Sequence, residues 1–300
     1  RANGLSSVAL GLNAATGDGD DAIAIGTGAK ALNKNTISIG TGNTVNGANS
    51  GAIGDPTVVS GTNSYSVGNN NTLASDDTFV LGNKVILSKN AENSTVIGNQ
   101  NTITLTDPQN NTGFVNIQGN KNEIKNAARG IGILGNNNIV QDVTHDVFIL
   151  GNDVKKTARD SVFLGSGSGY VAEGATTKGL EKTYKSDTVN GKTVQFAGGE
   201  VTAGVVSVGG VNDSNQQITR RIQNVAPGLI SEQSTDAING SQLHAIAEAL
   251  RIHYFSVNSQ NGGNYNNDGA KGIDAIAIGR EARANGLSSV ALGLNAATGD

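Results

Sequence analysis

The chain lacks cysteine, methionine and tryptophan altogether, and aromatic residues make up only 4% of its 300 residues. The absence of cysteine excludes disulfide bonds and cysteine-ligated metal sites, and it suits a chain that is exported unfolded. Charged residues are sparse at 15%, with a net charge of −4, which argues against nucleic acid as a partner. No apolar run approaches the ~18 residues of a membrane-spanning helix, and we find no signal-peptide pattern.

Glycine is abundant instead, with 42 residues, and many of these glycines end short apolar segments. Successive segments, such as residues 7–11 (SVALG) and 22–26 (AIAIG), usually lie 14 to 16 residues apart. The glycines of this series are Gly11, Gly26, Gly40, Gly54, Gly68, Gly82, Gly98, Gly135, Gly151, Gly165, Gly209, Gly279 and Gly293. A fixed period of this kind predicts one small unit stacked on itself, and it argues against an enzyme.

Each unit has room for two short strands and two turns, but not for a helix as well. Counted from the repeat glycine, positions −3 and −1 are usually large and apolar, as in Ile23 and Ile25, and the residue between them is small in the first coils. We expect −3 and −1 to face the core and −2 to point outward. Positions +3 and +5 alternate again, so the sequence predicts an all-β parallel solenoid of coils of about 14 residues, stacked about 4.8 Å apart.

Asparagine recurs at position +3 of several units. The residues are Asn43, Asn71, Asn101, Asn122 and Asn138. An amide inside a thin solenoid must be hydrogen-bonded, and identical amides stacked in register can bond to one another along the stack. We interpret these residues as structural; the alternative is an array of asparagines that binds a ligand.

The core of a single coil is thin, and position −2 becomes apolar in later units, as in Val80 and Phe163. A strand that is apolar on both faces is buried on both faces, and no helix is available to cover it, so we infer that other copies of the chain do. The period also breaks, because Gly119 follows Gly98 by 21 residues. A loop insertion around Asp107 and Pro108 explains the length, and residues 114–119 are expected to be out of register.

The repeat lapses between Gly165 and Gly209. Within this insertion, residues 188–194 (TVNGKTV) predict a β-hairpin, because Asn-Gly between β-branched residues is a strong hairpin signal. The insertion also carries Tyr170, Tyr184 and Phe196, which we take as a candidate ligand-binding surface, since the segment projects from a regular scaffold. The alternative is a structural corner that closes the solenoid.

Residues 217–250 differ in character from the repeats. Leu243, Ile246, Leu250 and His253 follow the spacing of core positions in a coiled coil, over less than two heptads. Such a segment is too short to persist alone, so we expect it to depend on a wider assembly. Residues 283–300 then repeat residues 1–18 letter for letter. This identity suggests a longer parent with a recurring module, of which the 300 residues are a fragment.

These segments resemble the trimeric autotransporter adhesins, the family of YadA-like surface fibres of Gram-negative bacteria. The segments SSVALGLNAATGD, DAIAIGTGAKA and DAIAIGREARA resemble the head repeat, and ITRRIQNVAPG followed by STDAINGSQL resembles the neck. Residues 254–259 (YFSVNS) resemble the segment that reopens a head after a neck. The match covers nearly the whole chain, apart from roughly 166–200. The family pattern is broken at Pro227 and Gly240.

The resemblance implies a left-handed parallel β-roll that assembles as a homotrimer, followed by a neck and a short trimeric coiled coil. The expected divisions are head repeats at 1–165, the insertion at 166–205, a last head strand at 206–216, the neck at 217–243, the coiled-coil stalk at 244–254 and a second head from 255–300. It implies a cell-surface adhesin that attaches to host matrix proteins, host receptors, abiotic surfaces or sister fibres. It also implies anchoring in the outer membrane through a C-terminal barrel that is not in this fragment.

Other functions find less support in the residues. A tailspike-like solenoid that binds or cleaves glycans is the alternative, but cleavage needs paired carboxylates across a cleft. Asp18, Asp20 and Asp21 cluster in a turn, and His145, His244 and His253 have no triad partners at suitable spacing. The threonine ranks of ice-binding solenoids and the calcium repeat are missing. We therefore expect no catalytic, cofactor or metal site.

Overall fold

The computed structural model describes residues 1–105, 113–126, 129–141, 144–189, 191–200, 202–212, 214–251 and 257–299. The chain divides into two compact units. The first comprises Arg1–Val225 and Leu229–Asp236, and the second comprises Ala226–Gly228 and Ala237–Asp300. The expected loop around Asp107 and Pro108 lies outside the described residues.

The first unit consists of short strands in chain order. They are β1 (Val8–Leu10), β2 (Ala15–Thr16), β3 (Ile23–Ile25), β4 (Lys30–Ala31), β5 (Ile37–Ile39), β6 (Thr44–Val45), β7 (Gly51–Ile53), β8 (Val58–Val59), β9 (Tyr65–Val67), β10 (Thr72–Leu73), β11 (Phe79–Leu81), β12 (Ile86–Leu87), β13 (Thr95–Ile97), β14 (Thr102–Thr104), β15 (Gly113–Gln118), β16 (Glu123–Lys125), β17 (Arg129–Leu134), β18 (Ile139–Val140), β19 (His145–Leu150), β20 (Ser161–Leu164), β21 (Ser186–Val189), β22 (Lys192–Gln195), β23 (Val206–Ser207), β24 (Gly210–Val211) and β25 (Gln217–Ile218).

Two parallel sheets form the solenoid. The first has 12 strands in the order β1-β3-β5-β7-β9-β11-β13-β15-β17-β19-β20-β23, and the second has 9 strands in the order β18-β16-β14-β12-β10-β8-β6-β4-β2. Each coil contributes one strand to each sheet, and equivalent residues stack directly, as Val80 does on Val96. The predicted all-β solenoid with two strands per coil is therefore confirmed.

The predicted orientation of the first strand in each coil is wrong. Position −2 faces the core, where Ala24, Val80 and Phe163 are fully buried. Positions −3 and −1 point away from the core, and Leu10 and Leu134 are more than half exposed. The alternation shows which residues share a face, but side-chain size does not show which face is inside. The inward position carries small residues such as Ala24 in the first coils and residues as large as Phe163 in the last, so the position of the second sheet decides which face is inside.

The second strand of each coil faces as expected. Positions +3 and +5 lie in the core between the sheets, where Asn43, Val45, Asn71 and Leu73 are buried. The first coils enclose mainly alanine, including Ala24. The coils from β6 onward enclose larger side chains, which pack into a single apolar cluster that extends to Phe163.

The repeat glycine is required where one coil stacks on the next. Gly98 has a φ of +131°, and a Cβ there would lie 1.9 Å from the carbonyl oxygen of Gly119. Glycine alone tolerates this combination of a positive φ and a close backbone approach. The glycine corner is therefore a stacking requirement that recurs from coil to coil.

Residues 113–118 are in register with the rest of the sheet, contrary to the sequence-based expectation. In β15, Ile117 pairs with Val96 of β13 and is buried at position −2. The segment looks displaced in the sequence because its outward positions carry polar Asn116 and Gln118. Once −2 is recognised as the inward position, the apparent shift disappears.

The insertion and the region after it complete the first unit. β21 and β22 form the predicted antiparallel hairpin, with Thr188 opposite Thr193, and all eight strand residues are exposed. β24 and β25 form a second short antiparallel pair. Between the hairpin and this second pair, strand β23 returns to the solenoid and pairs with β20.

The second unit contains one helix and the start of another solenoid. Helix α1 (Gly240–Ala249) is followed by β26 (Ile276–Ile278), β27 (Arg283–Ala284), β28 (Val290–Leu292) and β29 (Ala297–Thr298). β26 pairs with β28 and β27 pairs with β29, both in parallel. β28 and β29 have the sequences of β1 and β2, so identical residues form the same coil in both units.

Candidate functional site

The outward positions of the first sheet form a long apolar surface, which we call the outer face. It comprises the −3 and −1 side chains of the first-sheet strands between β1 and β20. Its large exposed members are Val8, Leu10, Ile53, Tyr65, Phe79, Leu81, Ile97, Leu134, Phe148, Leu150 and Leu164. The corresponding outward positions of the second sheet are more polar, with Lys30, Thr44, Thr72 and Glu123 among them. An exposed apolar surface of this length indicates a site of association.

Two aromatic rings of the outer face lie over glycines of the preceding strand. A Cβ on Gly51 would come within 2.7 Å of the ring of Tyr65, and a Cβ on Gly132 would come equally close to the ring of Phe148. Each ring therefore fills the gap left by a missing side chain at the same −3 position. These two rings therefore even out the surface of the outer face.

The asparagines at position +3 are structural, as expected. Asn138 donates from Nδ2 to Oδ1 of Asn122 and to the carbonyl oxygen of Gly151, both at 3.0 Å. Asn122 bonds to Asn101 in the same way at 3.0 Å. These buried amides link successive coils, and their contacts are within the chain. Among the described buried side chains, the Oδ1 atom of Asn43 has no hydrogen-bond partner.

A second row of amides lies on the surface, directly after the repeat glycines. Asn83, Asn99, Asn120, Asn136 and Asn152 each bond to the next, with Nδ2–Oδ1 distances of 2.8 to 3.2 Å for the links between asparagines. This row was not predicted, although the sequence carries a signal for it in the Gly-Asn pair that recurs from Gly68 to Gly151. Because these amides are exposed, water competes with their bonds to one another.

Two of the three aromatic residues proposed in the insertion come together. The rings of Tyr184 and Phe196 have centroids 4.9 Å apart, and Nζ of Lys178 lies 5.0 Å from the centre of the Tyr184 ring. The Tyr184 hydroxyl donates a 2.8 Å hydrogen bond to Oδ2 of Asp187. That bond raises the pKa of Tyr184 and lowers the pKa of Asp187. We call these four residues the aromatic patch.

Tyr170 does not belong to the aromatic patch. It packs against the main core cluster at the end of the solenoid, and its hydroxyl accepts a 3.0 Å hydrogen bond from the backbone N–H of Leu180. Its backbone N–H donates to the carbonyl of Lys156 in the preceding coil. Tyr170 therefore packs against the core and lies apart from the other two aromatic residues predicted in the insertion.

The start of helix α1 is held by two amide side chains. Asn239 caps the helix, and Gln242 completes a capping box with it. Oε1 of Gln242 also accepts from the N–H of Gly228 at 3.0 Å, while Nε2 donates to the carbonyl of Gly228 at 2.6 Å. Gln242 thus ties the turn after Pro227 to the helix.

Helix α1 buries none of its residues within its own chain, and Leu243, Ile246 and Leu250 are exposed. The predicted heptad position at His253 lies outside the described residues. No described helix has the length and apolar character to cross a membrane.

The structure shows the contacts of several residues that were considered for catalysis or metal binding. Oδ1 of Asp20 accepts a 2.9 Å hydrogen bond from the N–H of Leu5, which links two adjacent coils. Nδ1 of His145 lies 2.8 Å from Asp146 and 3.8 Å from Asp160. These three residues could bring ligand atoms together, but Asp160 already pairs with Arg159 at 3.1 Å. All four side chains are at least partly exposed to solvent.

Comparison with known families bears directly on these features. The model of the YadA head domain repeat matches residues 2–29, 18–43 and 270–296, which fall on the first coils of each solenoid. The model described as the coiled stalk of trimeric autotransporter adhesin matches residues 221–273, which include helix α1. The chain belongs to the YadA-like trimeric autotransporter adhesins.

The chain is also similar to one known adhesin and to two solved structures. The chain is 47% identical over 66 residues to the autotransporter adhesin BtaE of Brucella suis biovar 1 (strain 1330), which is 22% of this chain and 8% of that relative. The C-terminal YadA-like domain of BPSL2063 from Burkholderia pseudomallei is 34% identical, with a TM-score of 0.29, over 36% of this chain and 44% of that one. The collagen-binding domain of the Yersinia adhesin YadA is 18% identical, with a TM-score of 0.32, over 82% and 99%.

The family accounts for the architecture of this adhesin chain. A stalk described as trimeric requires chains that associate side by side, and helix α1 presents its apolar residues to solvent. The head carries a second apolar surface, the outer face, on the solenoid. Each of these apolar surfaces is uncovered in the single chain.

Proposed function

We propose that this chain is part of the passenger of a cell-surface adhesin whose heads associate as a homotrimer through the outer face. The observation that supports this most directly is the burial pattern. The core of the solenoid is complete without the outer face, yet Leu10, Leu81, Leu134 and Leu150 remain exposed along one side. Association of three copies would remove these side chains from water, at about 25 cal/mol for each Å² of apolar surface.

The proposed division of the chain follows the sequence and the family matches. Residues 1–165 and 206–216 form the head, 217–243 the neck and 244–254 the beginning of the stalk, and a second head starts at 255. The stalk match at 221–273 and the head match at 270–296 support a neck and stalk between two heads. In the complete protein, we infer an outer-membrane anchor that places the fibre on the surface of a Gram-negative bacterium.

The proposed activity is attachment to host matrix, host cells, abiotic surfaces or neighbouring fibres. A trimer presents each weak site three times, and repeated modules along a fibre raise avidity further without a deep pocket. The aromatic patch is the proposed contact region, because Tyr184 and Phe196 pair on the exposed insertion. Tyr170 is no longer part of this proposal, since it packs against the core.

The first experiment is the solution mass by light scattering. We expect a mass near three times 30.4 kDa. A folded monomer would contradict the proposed assembly. Adhesion of the trimer to immobilised matrix proteins and to plastic then tests the activity, using Tyr184→Ala/Phe196→Ala with Thr193→Ala as the matched hairpin control. Loss of adhesion in the double variant with an unchanged mass supports the aromatic patch as the contact region. Equal adhesion by the double variant and the control contradicts that role.

A further inference from the structure

The outer face carries two amide side chains on one strand, β15. In the first sheet, from β1 to β20, position −1 is Gln118 in β15. In all the remaining strands of that sheet over this range, position −1 is leucine, isoleucine or valine. Gln118 stacks between Ile97 of β13 and Leu134 of β17, both of which are exposed aliphatic residues. The −3 position of the same strand is also an amide, Asn116. Two amides therefore lie on one strand, beside apolar residues at −1 and next to one further polar residue at −3, Thr95 of β13.

Neither amide has a hydrogen-bond partner for its side chain among the described residues, although the stacked asparagines elsewhere in the solenoid are bonded. Asn116 and Gln118 are both exposed in the isolated chain. If the outer face is covered by other copies, these amides lose water, and a buried amide without a partner is strongly unfavourable. Partners must then come from the copies that cover them.

The outer face has a second property that gives these amides a role. Its coils are alike, so three copies displaced by one coil, about 4.8 Å, would still bring leucine and isoleucine against leucine and isoleucine. The variation at −3 does little to prevent this, because Tyr65 and Phe148 fold over the glycines of their own chain and level the surface. Contacts between such uniform surfaces specify register weakly.

We propose that Asn116 and Gln118 of three copies meet in one polar layer, where their amides hydrogen-bond between chains and fix the axial alignment of the heads. The partner is thus a second and third copy of this chain, and the site is incomplete without them. A displacement by one coil would put each Gln118 against an aliphatic residue and leave its amide unpaired. A single buried asparagine sets register and oligomeric state in coiled coils by the same physics.

This inference rests on the proposed assembly through the outer face, and the light-scattering mass separates the two. If the wild-type chain is a monomer, the proposed function fails first. If the wild-type chain is a trimer, Gln118→Glu tests whether the polar layer is buried. Gln100→Glu, on an exposed turn, is the matched control. We expect Gln118→Glu to lower the Tm by at least about 4 °C at pH 7. The Tm of this variant should rise again when acid protonates the introduced carboxylates. A Tm equal to that of the control overturns the polar layer.

The role in alignment needs a separate measurement. The chain has no cysteine, so Thr27→Cys in each copy gives one exposed spin-label site per chain. Trimers refolded from denaturant should show one interchain label distance, and Asn116→Val/Gln118→Leu should broaden or split it without lowering the Tm. Thr102→Val, on the second sheet, is the control and should leave one distance. A single unchanged distance in the double variant overturns the role in alignment.

Discussion

The side chain of Asn138 bonds to that of Asn122 in the coil before it, with 3.0 Å between Nδ2 and Oδ1. The same Oδ1 atom also accepts the backbone N–H of Asn138 at 3.0 Å. One amide therefore satisfies two donors of its neighbour, inside a core that has no water to replace it. This arrangement explains why a polar residue recurs at a core position.

Asn122→Ala is expected to destabilise the head by about 2 kcal/mol, since it leaves buried donors and acceptors of Asn138 and Gly135 without partners. Urea unfolding followed by circular dichroism measures the effect. Asn136→Ala is the matched control, because its 2.9 Å bond to Asn152 is exposed and water can substitute. Similar losses in the two variants would contradict a special role for the buried row.

Gly98→Ala should be far more damaging than its size suggests. The added Cβ would lie 1.9 Å from the carbonyl oxygen of Gly119, at a φ of +131° that alanine rarely adopts. The backbone strain alone costs about 1–3 kcal/mol, and the clash between coils adds to it. Gly174→Ala is the control, because nothing lies within 4 Å of a Cβ there. Thermal unfolding should show a large fall in Tm for the first variant and little change for the second.

Neighbouring residues of β13 should respond in opposite ways to a charge. Val96 is fully buried, so Val96→Lys is expected to prevent the solenoid from folding, because an unpaired charge enters the core. Ile97 is 39% exposed on the outer face, so Ile97→Lys should leave the coil folded and weaken association. Circular dichroism and light scattering distinguish the two results. A folded Val96→Lys chain would reverse our assignment of the faces.

The bond between Tyr184 and Asp187 predicts a local pH dependence in the insertion. The bond lowers the pKa of Asp187, so its stabilising effect is fully present above the ordinary carboxyl pKa, about 3.9, and is lost as pH falls through the lowered value. NMR titration of the Asp187 carboxyl carbon measures this. In Tyr184→Phe the pKa should move back toward the ordinary value, and an unchanged titration would exclude the tyrosine as the main cause.

Gln242→Ala is expected to release the turn from the start of helix α1. The side chain accepts from the N–H of Gly228 and donates to its carbonyl, so the substitution removes both contacts as well as half of the capping box. Hydrogen exchange of residues 226–243 should become faster. His244→Ala, on the exposed surface of the same helix, should leave exchange at Gly228 unchanged. Equal exchange in both variants would show that the turn is held by other contacts.

Much of the fold could be predicted from periodic residues. Recurring Gly82 and Gly98 marked the corners, the alternation in β13 marked a strand, and the Asn-Gly pair before Lys192 marked the hairpin. These features are local, because a turn residue or a strand period acts on its immediate neighbours. The pairing of Tyr184 with Phe196, and the separation of both from Tyr170, depend on the path of the whole insertion and could not be predicted.

The sequence by itself determined the repeat, the two strands of each coil, the stacked amides and membership of the adhesin family, because each of these is carried by residue types at fixed spacing. Only the tertiary structure decided which side of the first strand faces the core. Ala24 lies inside in an early coil and Phe163 lies inside in a late one, so side-chain size does not select the inward face. Alternation is symmetric between the two faces of a strand, and the close approach of the second sheet is what breaks that symmetry.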